Sequence, residues 1–226
     1  MKIQEILLEN ELDEMALPSD WDETAFGHDK AFYKRINYAR ERAKRLGAGS
    51  SRVAFMIPDN GKDTVIKVAK NKRGVMQNVA ELEILNDGYL GKQDIVIPLI
   101  DYDKKNPHPT WIQTEKAEKV RKKQLTELLG CNELFDLYSA VMDVVGKRQK
   151  WMKSYKQVIQ QLEEAKKSEA DIERFKDYVD QVADLVNSST LDPVDFENPA
   201  NWGLYQGRPV IIDLGFNEDV KFMYYG

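Results

Sequence analysis

The stretch that decides the fold is residues 46–69, LGAGSSRVAFMIPDNGKDTVIKVA. It opens with a glycine-rich segment and continues with two runs of β-branched and aromatic residues, 52–57 and 64–69. Between these runs lie Asn60 and Gly61, two residue types that tolerate the positive φ of a tight hairpin turn. The pattern predicts a β-hairpin, preceded by a glycine-rich turn that joins a helix end to the first strand.

The glycine-rich turn is a candidate anion site. Glycine lets backbone amides approach phosphate oxygens closely, and successive amides form a concavity that binds anions. Gly47, Gly49, Ser50 and Ser51 are therefore candidate phosphate-binding residues. A Gly-x-Gly at a helix end is also a common helix C-cap, so the turn alone does not indicate a function.

Lys67 lies inside the second predicted strand, in an apolar and β-branched setting. A lysine there either points outward as a surface residue or is buried with an anionic partner, because burial of an unpaired charge is costly. The next predicted helix, 75–86, carries Glu81 at the edge of its apolar face, where the carboxylate would reach Lys67. Glu83 is predicted to face solvent.

A second pair of polar residues lies near the C-terminus. Asn201 precedes Trp202-Gly203, and Asp213 ends a β-branched run and is followed by Leu214-Gly215. Amide and carboxylate oxygens at adjacent strand ends suit Mg²⁺ that bridges nucleotide phosphates. The alternative is a strand that ends in an ordinary turn.

The remaining segments predict an α+β fold. Helical periodicity covers 29–45 and almost all of 131–187, and two further strands are predicted at 95–102 and 110–115. The helical segment 131–187 is an exposed arm in this interpretation and a candidate surface for a protein partner.

Composition and charge argue against several classes of protein. A formal net charge of −5 argues against a general nucleic-acid binder, although the basic face of the 29–45 helix leaves that alternative open. The single cysteine, Cys131, excludes an internal disulfide and predicts a reducing, cytoplasmic compartment. We interpret Cys131 as a buried structural thiol rather than a nucleophile. No stretch approaches the roughly 20 apolar residues that span a bilayer, so no membrane partner is expected.

Taken together, these features resemble the protein-kinase family and its small-molecule phosphotransferase relatives. The sequence is also similar to uncharacterised kinase-like proteins of large tailed phages, which would place it in the bacterial host cytoplasm. The resemblance implies an N-terminal helical extension (1–45), an antiparallel-sheet N-lobe with one key helix (46–118), and a reduced, mainly helical C-lobe (119–226). A short β-hairpin of the C-lobe would carry Asp213-Leu214-Gly215.

The resemblance also implies ATP and Mg²⁺ as cofactors. Lys67 would hold the nucleotide phosphates, Glu81 would orient Lys67, and Asn201 and Asp213 would bind the metal.

The segment 111–117 resembles the connection between the two kinase lobes, where backbone groups hold adenine. Thr114 would be the gatekeeper residue, and Glu115 and Ala117 would lie beside the adenine.

The sequence departs from the family pattern at three places. Arg52 replaces the third loop glycine, where it would close the loop or contribute a cation to phosphate. The His-Arg-Asp motif is absent: Phe196 occupies the position of the catalytic aspartate, and Asp195 reaches it only if a one-residue bulge forms beside Pro199. Only eleven residues follow Gly215, which predicts that no standard peptide-docking lobe is present.

These departures leave two main functions open. One is an ATP-dependent phosphotransferase that acts on a host or phage protein or on a small molecule, with Asp195 and Lys67 as catalytic residues. The other is a catalytically inactive pseudokinase that works as a protein-binding module through the arm 131–187.

Overall fold

The computed structural model describes residues 21–27, 30–59, 62–215, 217 and 220–222. The predicted α+β class is confirmed. The helices are α1 (Glu23–Phe26), α2 (Phe32–Arg42), α3 (Lys72–Leu85), α4 (Lys122–Leu128), α5 (Leu134–Val144), α6 (Tyr155–Glu164) and α7 (Glu169–Ser188), with short 3-10 helices at Leu90–Lys92, Pro193–Glu197 and Pro199–Asn201. The strands are β1 (Lys44–Ala48), β2 (Arg52–Asp59), β3 (Lys62–Ala69), β4 (Leu99–Tyr102), β5 (Trp111–Glu115), β6 (Glu118–Lys119), β7 (Trp202–Tyr205) and β8 (Arg208–Ile211).

The strands form two antiparallel sheets. The larger has five strands in the order β1-β2-β3-β5-β4, and the smaller has three in the order β6-β7-β8. The strands predicted at 52–57, 64–69 and 110–115 are confirmed as β2, β3 and β5. The predicted turn residues Asn60 and Gly61 lie outside the described residues.

The two faces of the larger sheet have different partners. Residues directly opposite each other on paired strands point to the same face. One face carries Phe55, its partner Ile66, and Trp111, and it packs against Trp21 and Phe26 of the N-terminal segment. The other face carries the Ala54–Lys67–Ile112 row and lies against α3. Lys67 is therefore directed at α3 by its register in β3.

The segment before the glycine-rich turn differs from the prediction. The sequence predicted a helix over 29–45 that leads into the turn, but α2 ends at Arg42 and β1 follows. Gly47 is a poor helix former, and in β1 it pairs with Ala54 of β2. The turn at 49–51 thus joins two antiparallel strands rather than a helix and a strand.

The predicted strand over 95–102 is shorter than expected. Strand β4 begins at Leu99, and Pro98 before it lacks the N–H that a ladder requires. Val96 instead forms an isolated parallel bridge with Ile211 of β8. This bridge connects the segment before β4 to the smaller sheet.

The region 131–187 is interrupted rather than almost wholly helical. Helix α5 ends before Gly146, whose φ is 71°, and the N–H of Lys147 donates to the carbonyl of Met142 at 2.8 Å. These are the features of a glycine-terminated helix. The main hydrophobic core joins α5, α6 and α7 to β8 and the end of α3. None of the described helices has the length and apolar character needed to cross a membrane.

Candidate functional site

Helix α3 supplies the buried acid of the candidate site. It begins at Lys72, earlier than the predicted 75–86, because the side chain of Asn71 caps it by accepting from the N–H of Gly74 at 3.1 Å. Gly74, Asn78 and Glu81 follow at intervals of four and three residues and therefore share one helical face. All three are buried, and this face of α3 is directed at the sheet.

Glu81 is bound by two cations. Its side chain is fully buried, Lys67 pairs with Oε1, and Arg52 donates to Oε2 at 2.6 Å. Both carboxylate oxygens are therefore matched by charged donors, as a buried carboxylate requires. Glu83, two residues later, is exposed, which confirms that prediction.

Arg52 is the residue that the sequence-based site did not include. It immediately follows the glycine-rich turn, and its guanidinium is buried among three acceptors. Besides Glu81, it donates to Oδ1 of Asp213 at 2.6 Å and to Oδ1 of Asn78 at 3.3 Å. Arg52 therefore bridges β2, α3 and the segment after β8.

The segment after β8 closes the cluster. The carbonyl oxygen of Ile212 accepts a hydrogen bond from Nζ of Lys67 at 2.5 Å, which places the next residue, Asp213, beside Lys67. The backbone N–H of Gly215 donates to Oδ1 of Asp213 at 3.3 Å. The structure thus brings together the predicted residues Lys67, Glu81 and Asp213, with Arg52 between the two acids.

The charges of the cluster shift the ionisation of its members. Burial alone would raise the pKa of Asp213, but the positive charges of Arg52 and Lys67 outweigh burial and lower that pKa. Burial alone would lower the pKa of Arg52, yet Asp213 and Glu81 raise it. Asp213 and Arg52 are therefore both charged at neutral pH.

The glycine-rich turn is tied to the end of β3 and the start of α3. The backbone N–H of Lys70 donates to the carbonyl of Ser51 at 2.7 Å, and Nζ of the same lysine donates to the carbonyl of Gly49 at 2.8 Å. Gly47, Gly49 and Ser50 are exposed, whereas Ser51 is buried and hydrogen-bonded to Gln77. The turn thus covers the cluster from the β1–β2 side and leaves its glycines open to solvent.

Gly74 allows this close approach. A Cβ atom at this position would lie 2.2 Å from the carbonyl oxygen of Ser51. That distance is far inside the contact limit, so only glycine lets α3 pack directly beneath the turn.

Asp195 and Asn201 lie in the 3-10 segment beside Asp213. The side-chain amide of Asn201 donates to the carbonyl of Asp195 at 3.1 Å, and the carbonyl of Asn201 accepts from the N–H of Ile212 at 2.8 Å. Burial, followed by the charges of Asp213 and Asp192, raises the pKa of Asp195 to about 7. This pKa suits a group that exchanges protons near neutral pH.

Thr114, Glu115 and Ala117 lie where the larger sheet leads into the smaller one. Thr114 is buried on β5 opposite Val65, on the same sheet face as Lys67. Glu115 donates its N–H to the carbonyl of Pro98 at 3.0 Å, and its carboxylate pairs with Lys62. Ala117 precedes β6 and lies beside Gly203 of β7. These three residues lie outside the charged cluster itself.

Cys131 is buried, as predicted. Burial, followed by the charge of Asp136, raises the pKa of its thiol to about 12, so the thiolate is not available at neutral pH. The predicted burial of Cys131 is confirmed, and the raised pKa of its thiol is in keeping with a structural role.

The predicted Mg²⁺ ligands are Asn201 and Asp213. Asp213 and Asn201 are hard oxygen donors, and the backbone bond from Ile212 to Asn201 holds them on adjoining segments. One oxygen of Asp213 is engaged by Arg52, and its side chain is 43% exposed. In the described part of the chain, no group of three or more His, Cys, Asp and Glu side chains is arranged to hold a metal ion. The side-chain oxygens of Asp213 and Asn201 are of the type that binds Mg²⁺, and Asp213 could take part once its Oδ1 is released from Arg52.

The polar stripe on α3 is the signal that could have identified the role of Arg52. Asn78 and Glu81 stand on the buried face of α3, where a single lysine leaves acceptors unmatched. A second buried donor was therefore required.

A scan against protein-family models finds none that matches this chain, and a search of curated proteins finds no match either.

Proposed function

We propose that this protein is a kinase-like, ATP- and Mg²⁺-binding protein, and that it transfers the γ-phosphoryl group to an acceptor hydroxyl. The observation that carries the proposal is the cluster of Lys67, Glu81 and Asp213 beneath an exposed glycine turn. A lysine held by a buried acid and placed beside a second carboxylate is the arrangement that phosphoryl transfer uses.

In this proposal the backbone amides of the turn at 49–51 would bind phosphate oxygens, which requires the N–H of Gly49 to leave the carbonyl of Arg52, to which it donates at 3.0 Å. Lys67 adds positive charge. Glu81 keeps the ammonium of Lys67 in place. Asp213 and Asn201 would hold Mg²⁺, which supplies charge neutralisation to the β- and γ-phosphates. Thr114, Glu115 and Ala117 would lie along the adenine.

Asp195 is the proposed base. The acceptor hydroxyl oxygen forms a bond to the γ-phosphorus, the bond between that phosphorus and the β–γ bridging oxygen breaks, and ADP leaves. The hydroxyl proton passes to the carboxylate of Asp195. A carboxylate with a pKa of about 7 accepts this proton with good driving force at neutral pH.

Calorimetric titration with ATP tests the binding step, with and without Mg²⁺, on the wild type and on Lys67→Met. The wild type should bind ATP, and Lys67→Met should weaken binding about tenfold or more, since the lysine contributes a charge-assisted hydrogen bond. Lys44→Met is the matched control because Lys44 is exposed on neighbouring β1. Equal affinities of all three proteins, or no heat with the wild type, would reject the proposal.

Phosphotransfer itself is measured as ADP formation with added peptide, protein or small-molecule acceptors. Asp195→Asn and Asp213→Ala should each abolish turnover, while Asp195→Asn should retain ATP binding. Nucleotide binding by the wild type without any turnover would instead assign the protein to the pseudokinases.

A second candidate function, a protein-binding module, is favoured by the loop between α5 and α6. Trp151 in this loop is 68% exposed, and its ring stacks on Phe135 with centroids 5.8 Å apart and 15° between the planes. The loop is held in place because Arg148 donates to Asp143 at 2.6 Å and Lys153 donates to Asp136 at 2.8 Å. A rigid, exposed tryptophan is a typical anchor of a binding surface.

The charge of the loop indicates the chemistry of its partner. Lys147, Lys150 and Lys156 are exposed, and no acidic residue occurs between Asp143 and Glu163. Trp151 and Lys150 also line a cavity of about 490 Å³. The fitting partner is an acidic protein segment that inserts one apolar side chain.

A fluorescein-labelled peptide of Asp and Glu residues with one central Phe tests this surface by fluorescence anisotropy. Trp151→Ala should weaken binding about tenfold, as for the loss of an interface anchor. Tyr33→Ala is the control, since Tyr33 is 63% exposed on another basic helix. Equal losses in both variants would reject the surface, and salt-sensitive binding of oligothymidine instead of the peptide would assign it to nucleic acid.

A further inference from the structure

Arg52 has a position that the proposed function does not require. Its backbone begins β2, directly after the glycine turn, while its guanidinium reaches α3 and the segment after β8. It occupies the space between Glu81 and Asp213, with Nη1 and Nη2 each 2.6 Å from one carboxylate oxygen. At Gly215 an added Cβ would lie 3.0 Å from Nη2, so the glycine leaves room for the guanidinium.

The charges of the cluster balance without any metal. Two cations, Arg52 and Lys67, match two anions: Arg52 contacts both Glu81 and Asp213, and Lys67 contacts Glu81. A divalent ion at Asp213 would therefore replace Arg52 at Oδ1 or add two positive charges beside it. In a partly buried site, either event is opposed by like-charge repulsion.

The two contacts of Arg52 differ in how readily they open. Glu81 is fully buried and belongs to the middle of α3, so that contact holds the guanidinium in the cluster. The side chain of Asp213 is 43% exposed and lies after the end of β8, outside the sheet ladder. Release of Asp213 is thus the smaller rearrangement, and it leaves the charge of Arg52 in place.

We infer that Arg52 is an internal competitor of the divalent cation at Asp213, which couples metal binding to phosphate binding. Metal alone does not displace the guanidinium, because the released arginine would keep only Glu81 as a directly bonded counter-ion, and Lys67 already shares that acid. A nucleotide polyphosphate supplies the missing negative charge, so metal and nucleotide enter together. The second half of this inference rests on the proposed function, whereas the competition at Asp213 does not.

The test is a titration of nucleotide-free protein with Mn²⁺, in which electron paramagnetic resonance measures the free ion. Wild type should bind Mn²⁺ weakly, and Arg52→Met should bind one Mn²⁺ at least about tenfold more tightly, since a like charge next to the ion is removed. Arg52→Lys, which keeps a cation, should stay near the wild type. Arg52→Met combined with Asp213→Asn should lose the gain. Arg45→Met is the matched control, because Arg45 is an exposed arginine of β1.

Circular dichroism establishes that each variant is folded, and Arg52→Gln, which keeps an amide donor, is the second neutral variant if Arg52→Met does not fold. Micromolar binding of Mn²⁺ by the nucleotide-free wild type overturns the inference without reference to any variant. So does equal Mn²⁺ affinity of the wild type and both neutral variants.

A parallel titration with ATP distinguishes a failure of the proposed function from a failure of the inference about Arg52. If the wild type does not bind ATP but the neutral variants gain the Mn²⁺ site, the proposed function fails and the competition stands. If the wild type binds ATP and the Mn²⁺ affinities are equal, the proposed function stands and the inference fails.

Discussion

The two carboxylates that share Arg52 lie in regions of different character. Glu81 belongs to the middle of α3, is fully buried, and accepts from Lys67 and Arg52 on separate oxygens. Asp213 belongs to the irregular segment after β8 and is 43% exposed, with both Arg52 and the N–H of Gly215 directed at Oδ1. Removing one member of a buried charge network lowers the free energy of unfolding strongly, because it leaves a buried charge unpaired. A half-exposed carboxylate can exchange one partner for water or a ligand. The comparison therefore separates a residue that holds the fold from one that is available for chemistry.

The largest effect is expected for Glu81→Gln. This change leaves Lys67 and Arg52 without their shared buried anion, and the free energy of unfolding should fall by about 3–5 kcal/mol. Urea unfolding followed by circular dichroism measures it. The control is Glu83→Gln, an exposed position on the same helix, which should change the unfolding free energy by less than about 0.5 kcal/mol. Similar losses in both variants would remove the distinction between the two carboxylate regions.

Asp195→Asn should stabilise the protein at alkaline pH. The folded-state pKa of Asp195 is raised to about 7, mainly by burial, so the folded chain keeps a proton that the unfolded chain has released near pH 4. The unfolding free energy of the wild type therefore declines between about pH 4 and pH 7, and the variant should lack this decline. At pH 8 the variant should be more stable by about 2 kcal/mol, a value reduced for the partial exposure of this carboxylate. Parallel stability–pH curves of the two proteins would contradict the prediction.

Asp213→Asn should have a smaller effect of the opposite sign. The folded-state pKa of Asp213 is lowered, since Arg52 and Lys67 outweigh burial, so its contribution to stability is present above the unfolded pKa and is lost as the pH falls below it. At pH 7 the loss should be about 1 kcal/mol, because the side chain is partly exposed. The difference from the wild type should vanish in acid. A loss as large as that of Glu81→Gln would show that both carboxylates serve the fold equally.

Gly47→Ala and Gly49→Ala should have the smallest effect on stability. An added Cβ would meet no atom within 4 Å at either position, so the unfolding free energy should change by less than about 0.5 kcal/mol. If the turn binds phosphate, the same methyl groups should obstruct backbone approach and weaken ATP binding. Unchanged ATP affinity in both variants, with ATP bound by the wild type, would exclude the turn from the phosphate site.

Much of the site follows from local patterns in the sequence. The apolar run around Lys67 predicts a strand with a lysine that needs a partner, and helical spacing brings Glu81 to the same side. Which segments pair as neighbouring strands is harder to predict from the sequence. The helical pattern predicted over 29–45 includes Lys44 and Arg45, yet these residues begin β1 because they pair with Met56 and Phe55 of β2.

The polar face of α3 indicates a second buried donor, but that Arg52 supplies it could not be deduced in the same way. Its two acidic partners are 29 and 161 residues away, and no local pattern relates positions at such separations. The sequence position beside a glycine turn is equally consistent with a side chain that closes the loop and with one that binds phosphate.

Sequence alone determined the elements with short-range causes: the strands β2, β3 and β5, the helix α3 apart from its first residues, and a buried thiol at Cys131. Tertiary structure alone decided which charges neutralise each other, that is, the pairing of Arg52 with both Glu81 and Asp213 and the docking of Ile212 on Lys67. The physical reason is the distance along the chain over which each effect acts. Backbone propensities and side-chain periodicity act over a few residues, whereas the partner of a buried charge is chosen by the packing of distant segments.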